Sequence, residues 1–187
     1  MDQYQDIKLL PDPEFSAPML MNALFAKLHR ALVAIDSTEI GVSFPGVDQK
    51  SPRLGDTLRL HGSISALKNL QAQDWLRGMR DHVEVAEVAP VPAGSGYCRV
   101  RRVQVKSSAE RIRRRYFRRH PGVTESDAQG LIPDSVEKRV NLPYLQLKSD
   151  STDQRFRLFV EHMPQSQPVS GSFNSYALST DATVPWF

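Results

Sequence analysis

The chain of 187 residues holds one cysteine, Cys98. That excludes an internal disulfide and any zinc site built on several thiolates, and it suits a reducing, cytoplasmic setting. No apolar run approaches the ~18 residues that a membrane span needs, so no membrane partner is expected. Asp2, Asp6 and Lys8 sit within an alternating pattern near the start, which reads as a strand and not as a leader. His29, His61, His82, His120 and His162 show no ligand spacing such as H-E-x-x-H, so a metal-free reaction is the first enzyme hypothesis. Neither an internal repeat nor a low-complexity tract is present. What remains is 40% apolar and 24% charged, enough to bury a core in one mid-sized domain or two small ones.

Charge is the first positive signal. The chain carries +3 overall, yet residues 101–120 hold nine of its 24 basic side chains and one of its 21 acidic ones. This block carries +8 and leaves the rest of the chain at −5. An acidic body with one cationic element points to a polyanion site. Arginine outnumbers lysine there eight to one, which suits planar, paired recognition of phosphate and guanine. A merely solvated surface helix is the alternative.

Along the chain, Tyr4 to Leu10 alternates as a strand and stops at Pro11-Asp12-Pro13. A helix follows from about Pro18 to Ala34, with Leu20, Met21, Leu24, Leu28, Ala31 and Leu32 as its buried stripe. Ile40 to Phe44 and Leu58 to His61 read as strands. A helical stretch from about Ser65 to His82, broken near Asp74, leads to a strand over Val83 to Val88. The order β-α-β-β-α-β is the ferredoxin-like pattern, so an α+β fold is expected with residues 1–92 as its first domain. Ala93-Gly94-Ser95-Gly96 marks a boundary, and residues 97–187 form a second α+β domain with an arginine-rich helix over 108–120. That half opens with a strand over Cys98 to Lys106. Ser107-Ser108-Ala109-Glu110 has the S-x-x-E form of a capping box, which starts the helix. Arg111, Arg114, Arg115, Arg118 and Arg119 then fall within an arc of roughly 140°, while Ile112, Tyr116 and Phe117 point away from it. Pro121-Gly122 ends this helix, and a short one follows near Glu125 to Leu131. Leu142 to Lys148 and Arg155 to Glu161 read as strands joined by a polar turn.

A guanidinium-lined helix face matches the phosphates flanking a duplex groove, but charge alone does not choose between RNA and DNA. Arg102 and Gln104 leave one strand face together, as a guanine and adenine reader would; ordinary strand surface explains them at least as well. His29 lies at the margin of the first helix's apolar stripe, where a histidine is more often structural than catalytic. Tyr176 is placed to orient such a ring or simply to pack, and the hydroxyls of Ser149 to Thr152 serve equally as turn residues. If the polyanion is RNA, its own 2′-hydroxyl is the nucleophile, and the protein has only to position it, move a proton and stabilise charge.

Read together, several stretches resemble one family. They are M-D-x-Y-x-D-I at 1–7, P-D-P-E-F at 11–15, A-L-F-A-K-L-H at 23–29 and I-G-V-S-F-P at 40–45. R-V-Q-V-K-S-S-A-E-R-I-R-R-R at 102–115, I-P-D at 132–134, F-R-L-F at 156–159 and V-P-W-F at 184–187 complete the set. The whole chain thus resembles the type I-F CRISPR repeat-processing endoribonucleases, which cut a precursor transcript into guide RNAs.

The resemblance implies an RNA hairpin as substrate, cut at the 3′ base of its stem without metal or cofactor to leave a 2′,3′-cyclic phosphate. It also implies a protein that is a monomer outside the complex and stays on the guide RNA with the other subunits of the type I-F Cascade complex. His29 matches the family's catalytic histidine, Ser149 the serine that holds the nucleophilic 2′-hydroxyl, and Tyr176 the tyrosine beside the histidine. Arg102 and Gln104 match readers of bases low in the stem. Arg111, Arg114, Arg115, Arg118, Arg119 and His120 match the helix along the groove, with Ser107 and Ser108 at its start. Phe156 matches an aromatic stacked under the last base pair, and Ser151 and Thr152 match contacts to nearby nucleotides. Met163 and Ala177 stand where the family pattern has glycine, the first of them at an expected turn after His162. Two rivals stay open: a catalytically silent hairpin-binding subunit, and a DNA-binding protein that lays the arginine helix in a B-form groove.

Overall fold

The computed structural model describes residues 1–48, 50–104, 109–122, 124–133, 140–149 and 153–187. It has an α+β fold that divides into two compact units, one formed by Met1–Val103 with Leu142–Phe187 and the other by Gln104–Asn141. The boundary expected at 93–96 falls inside the first unit, as a turn in which Gly94 takes a φ of 80°.

The first unit begins with β1 (Gln3–Leu9), α1 (Ala17–Ala34), β2 (Gly41–Ser43), β3 (Thr57–Gly62), α2 (Ile64–Gln71), β4 (Val83–Val85) and β5 (Ala89–Pro90). The antiparallel sheet runs β2-β3-β1-β4, with β5 also paired to β1. Alternation in β1 works as read: Gln5, Ile7 and Leu9 are buried while Lys8 is exposed. Gln5 meets the cost of burial by donating its Nε2 to the Ala86 carbonyl at 2.9 Å. Pro18 occupies the first turn of α1, where a missing N–H costs nothing, and seven side chains from Leu20 to Leu32 line its buried face. Ser63 caps α2 by accepting from Ala66 N–H at 3.1 Å. The expected break near Asp74 is present: α2 stops at Gln71, Asp74 takes a φ of 45°, and a short 3₁₀ turn spans Arg80–His82.

The same unit carries a second antiparallel sheet from β6 (Gly96–Val103), β7 (Tyr144–Lys148), β8 (Arg155–Gln165) and β9 (Val184–Trp186), in the order β7-β8-β6-β9. β8 is longer than read from the sequence. Met163 and Pro164 lie within it, paired with Arg99 and Cys98, so the turn expected after His162 does not exist. The two sheets share one apolar cluster. Asn22 of α1 accepts from Gln146 N–H of β7 at 2.9 Å, and Thr38 and Ala177 accept from Phe173 N–H and Val42 N–H, each at 3.0 Å. Gly41 permits this approach: a Cβ there would stand 2.7 Å from side-chain atoms of Phe173 and Val184.

Two histidines sit inside this core. His61 is fully buried with its Nε2 2.8 Å from the Ser43 hydroxyl, and His162 accepts from Phe44 N–H at 3.2 Å. Burial, with the nearby Arg59 cation and the amino terminus, pushes His61 down to about 3; burial alone lowers His162 to about 4. Above about pH 6.5 the rings are neutral in both folded and unfolded chains, and their full contribution is present. As pH falls, the unfolded chain takes up protons that the folded chain refuses, so stability drops toward pH 4 and below. A tenfold difference in proton affinity between the two chains corresponds to about 1.4 kcal/mol, so the urea midpoint should fall clearly between pH 7 and pH 4.5. An unchanged midpoint would show that these rings are not held neutral.

The second unit contains α3 (Ala109–Arg119) and α4 (Glu125–Leu131). The first stops at Arg119, just short of Pro121, and Gly122 beyond it takes a φ of 105°. Thr124 and Asp127 form a reciprocal capping box at the start of α4, and Arg113 donates its Nε to the Ile132 carbonyl at 2.9 Å, tying α3 to the end of α4.

Candidate active site

His29 lies in the penultimate turn of α1, half-buried, because the apolar stripe on either side of it faces the core and leaves this position at the rim. Its Nδ1 is 2.7 Å from the Ser175 carbonyl oxygen. A carbonyl only accepts, so Nδ1 carries the proton, and in the neutral ring the lone pair belongs to Nε2. The ring stacks on Tyr176 with centroids 4.1 Å apart and planes 8° from parallel. One flank of the imidazole and one of its nitrogens are thereby fixed, and the other nitrogen is left for chemistry.

A small cleft gathers His29 and Tyr176 with Ala26, Arg30, Leu147, Lys148 and Phe156. Strand pairing explains the far wall, since Leu147 of β7 stands opposite Phe156 of β8. Arg102, near the end of β6, places its guanidinium carbon 5.7 Å from the Phe156 ring and 5.7 Å from the Tyr176 ring. Both lie within cation–π range, so the arginine joins the two aromatics of the site. Its Nε is buried and has no hydrogen-bond partner among the described residues. An unsatisfied donor of this kind beside a cleft is costly unless something else completes it.

Ser149 follows Lys148 at the end of β7. Its N–H donates to the Gln154 carbonyl and its own carbonyl accepts from Asp153 N–H, both at 2.9 Å, which closes the β7–β8 connection. Lys148 pairs with Asp153 across the same connection at 2.5 Å. Ser151 and Thr152 lie outside the described residues, as do Ser107 and Ser108 and the side chain of Arg111. Of the residues singled out from the sequence, the structure therefore brings together His29, Tyr176, Phe156 and Arg102, with Ser149 one residue beyond the cleft wall. Gln104 is exposed and opens the second unit.

In the second unit, Arg114, Arg115, Arg118 and Arg119 are exposed along α3, while Ile112, Tyr116 and Phe117 are half-buried. This is the two-faced helix expected from the spacing. His120 stands just past the helix end, its ring stacked on Tyr116 at 4.2 Å and its Nδ1 donating to the Tyr116 carbonyl at 3.2 Å. It closes the helix C-terminus, where carbonyls lack intrahelical partners.

Sequence reasoning passed over Ser175, Arg30 and Lys148. A main-chain carbonyl acceptor has no side-chain signature, and single basic residues outside the dense block carry little signal. Among the described residues, no three His, Cys, Asp or Glu side chains gather as a metal-ligand set. No described helix is long and apolar enough to cross a membrane.

Residues 4–187 match the family described as CRISPR-associated protein (Cas_Csy4). A protein of Pseudomonas aeruginosa (strain UCBPP-PA14), named CRISPR-associated endonuclease Cas6/Csy4, is 50% identical over 188 residues, covering 100% of both chains. One of the same name from Escherichia coli (strain UTI89 / UPEC) is 47% identical, again over 100% of both. A match over almost every residue, with two full-length relatives at about half identity, means that the chain belongs to the Cas_Csy4 family of CRISPR-associated proteins.

Proposed function

We propose that this protein is a metal-independent endoribonuclease that binds a CRISPR repeat hairpin and cuts precursor CRISPR RNA at the 3′ base of the stem. Both full-length relatives carry the name endonuclease. The observation that carries the reading is the state of His29, tied through Nδ1 and stacked on Tyr176, so that Nε2 serves as its reactive nitrogen. In the proposed step the ribose 2′-oxygen forms a bond to phosphorus and the bond from phosphorus to the 5′-oxygen breaks. The 2′-hydroxyl loses a proton and the 5′-oxygen gains one, with Nε2 of His29 taking or giving it. Ser149 holds the 2′-hydroxyl, Phe156 stacks under the last base pair, and Arg102 and Gln104 read bases beside it. The exposed arginines of α3, with Arg111 and His120, lie along the stem's groove, and Ser107, Ser108, Ser151 and Thr152 contact nearby nucleotides.

The cut leaves a 2′,3′-cyclic phosphate, and the protein stays on the guide RNA among the other subunits of a type I-F Cascade complex in the cytoplasm, as a monomer when outside it. Residues 1–92 serve as a ferredoxin-like domain carrying His29, and 97–187 as the RNA-binding domain. The strand order β2-β3-β1-β4 supports the first of these assignments.

Incubation of the protein with a repeat hairpin in excess EDTA tests the reading. Full cleavage with a cyclic-phosphate end is expected, and a single 2′-deoxy substitution at the cut site should abolish it. Cleavage lost in EDTA, or unaffected by the deoxy substitution, would refute the mechanism, and a hairpin bound but never cut would favour a silent binding subunit.

A further inference from the structure

We infer that Asn174 is a positioning residue that sets the tautomer and orientation of His29 through a single peptide plane. The inference rests on His29 being the proton-transfer group. The peptide between Ser175 and Tyr176 is engaged at both ends. Its carbonyl accepts from His29 Nδ1 at 2.7 Å, and its N–H donates to the Asn174 side-chain oxygen at 2.9 Å. One rigid amide therefore connects the asparagine to the imidazole, and aligned amide hydrogen bonds of this kind polarise one another.

Residues 174–177 form a turn closed by Ala177 N–H to the Asn174 carbonyl at 2.7 Å. The central peptide of such a turn is the one that inverts between type I and type II forms, and here it is the 175–176 peptide. Inversion would carry the Ser175 carbonyl away from His29. The Asn174 side chain opposes it by holding the Tyr176 N–H, as asparagine does in an Asx turn.

Asn174 is itself held firmly. Its side-chain oxygen also accepts from Leu178 N–H at 3.3 Å, and its own N–H donates to the Leu178 carbonyl at 2.9 Å. Ala177 leaves the turn with a φ of 55°, in the left-handed region that glycine adopts without strain, and its carbonyl is pinned by Val42 N–H at 3.0 Å. A chain with alanine at this strained corner relies more on the asparagine contact than one with glycine would.

The test uses the full chain with Asn174→Ala, Asn174→Ser and Asn174→Asp. The His29 tautomer is read by long-range ¹H–¹⁵N correlation, beside single-turnover cleavage and hairpin affinity. The unaltered protein and Asn174→Asp should show the Nδ1–H form alone. Asn174→Ala should show a mixture with the Nε2–H form, about tenfold slower cleavage, as for loss of one net hydrogen bond, and affinity within twofold. Asn174→Ser, with a shorter and weaker acceptor, should fall between them and serves if the alanine variant does not fold. An unmixed Nδ1–H tautomer in the alanine or serine variant would overturn the inference. Because the tautomer is read without substrate, that result is separate from the loss of the catalytic reading, which His29→Ala decides.

Discussion

His29→Ala should reduce cleavage of a repeat hairpin by two to four powers of ten while leaving affinity for the hairpin within about threefold. The size follows from the loss of a positioned proton-transfer group, which contributes roughly 10²–10⁴ in rate. The selectivity follows from placement. His29 is half-buried at the rim of α1, outside the fully buried stripe of Leu24, Phe25, Leu28 and Leu32, so its truncation leaves the core packing of the helix in place. The contacts it forfeits are one hydrogen bond to the Ser175 carbonyl and one stacking face of Tyr176. The arginines of α3 are untouched. Gel-shift titration and single-turnover cleavage on one preparation check both halves. Loss of binding together with cleavage would make the histidine a structural residue, and full activity would remove it from the mechanism.

How much of this site was legible in advance depends on what held each part. α1 announces itself because six of its seven buried side chains already read as a stripe at helical spacing, and α3 because alternate faces differ so sharply in charge. The break near Asp74 and the end of α3 just before Pro121 were readable from local chemistry alone, and Asp74 and Gly122 take positive φ. The β9 strand and the last residues of β8 were not. Val184–Trp186 is short and contains a proline, and Met163-Pro164 resembles a turn until β6 supplies pairing partners. His29 could be named only through its resemblance to a known pattern. By residue type it was more readily structural, since the group that specifies it is a carbonyl 146 residues away in sequence. The same distance hid Asn174, whose turn-forming character is visible in the sequence but whose connection to an imidazole is not.

Reversing one charge on the arginine face, by Arg115→Glu or Arg118→Glu, should lower hairpin affinity at least tenfold near 0.1 M salt, the scale of one charge-assisted contact. It should also flatten the dependence of affinity on salt. Each phosphate contact releases counterions and adds roughly 0.7–0.9 to the slope of log K against log salt, so removing one subtracts about that much and reversing its sign subtracts more. The two mutants should therefore converge on the unaltered protein as salt rises. A neighbouring position on the same helix serves as an internal control. Arg113 donates to the Ile132 carbonyl, so its replacement should act first through the stability of the two-helix unit. Arg115 and Arg118 are exposed, three residues apart and on one face, where loss of charge alters binding with little effect on folding. If Arg115→Glu left affinity unchanged across the salt range, the helix would not lie along the stem. The exposed arginines of α3 would then be a solvated surface, and specificity would rest on the cleft lined by Phe156, with Arg102 against that ring.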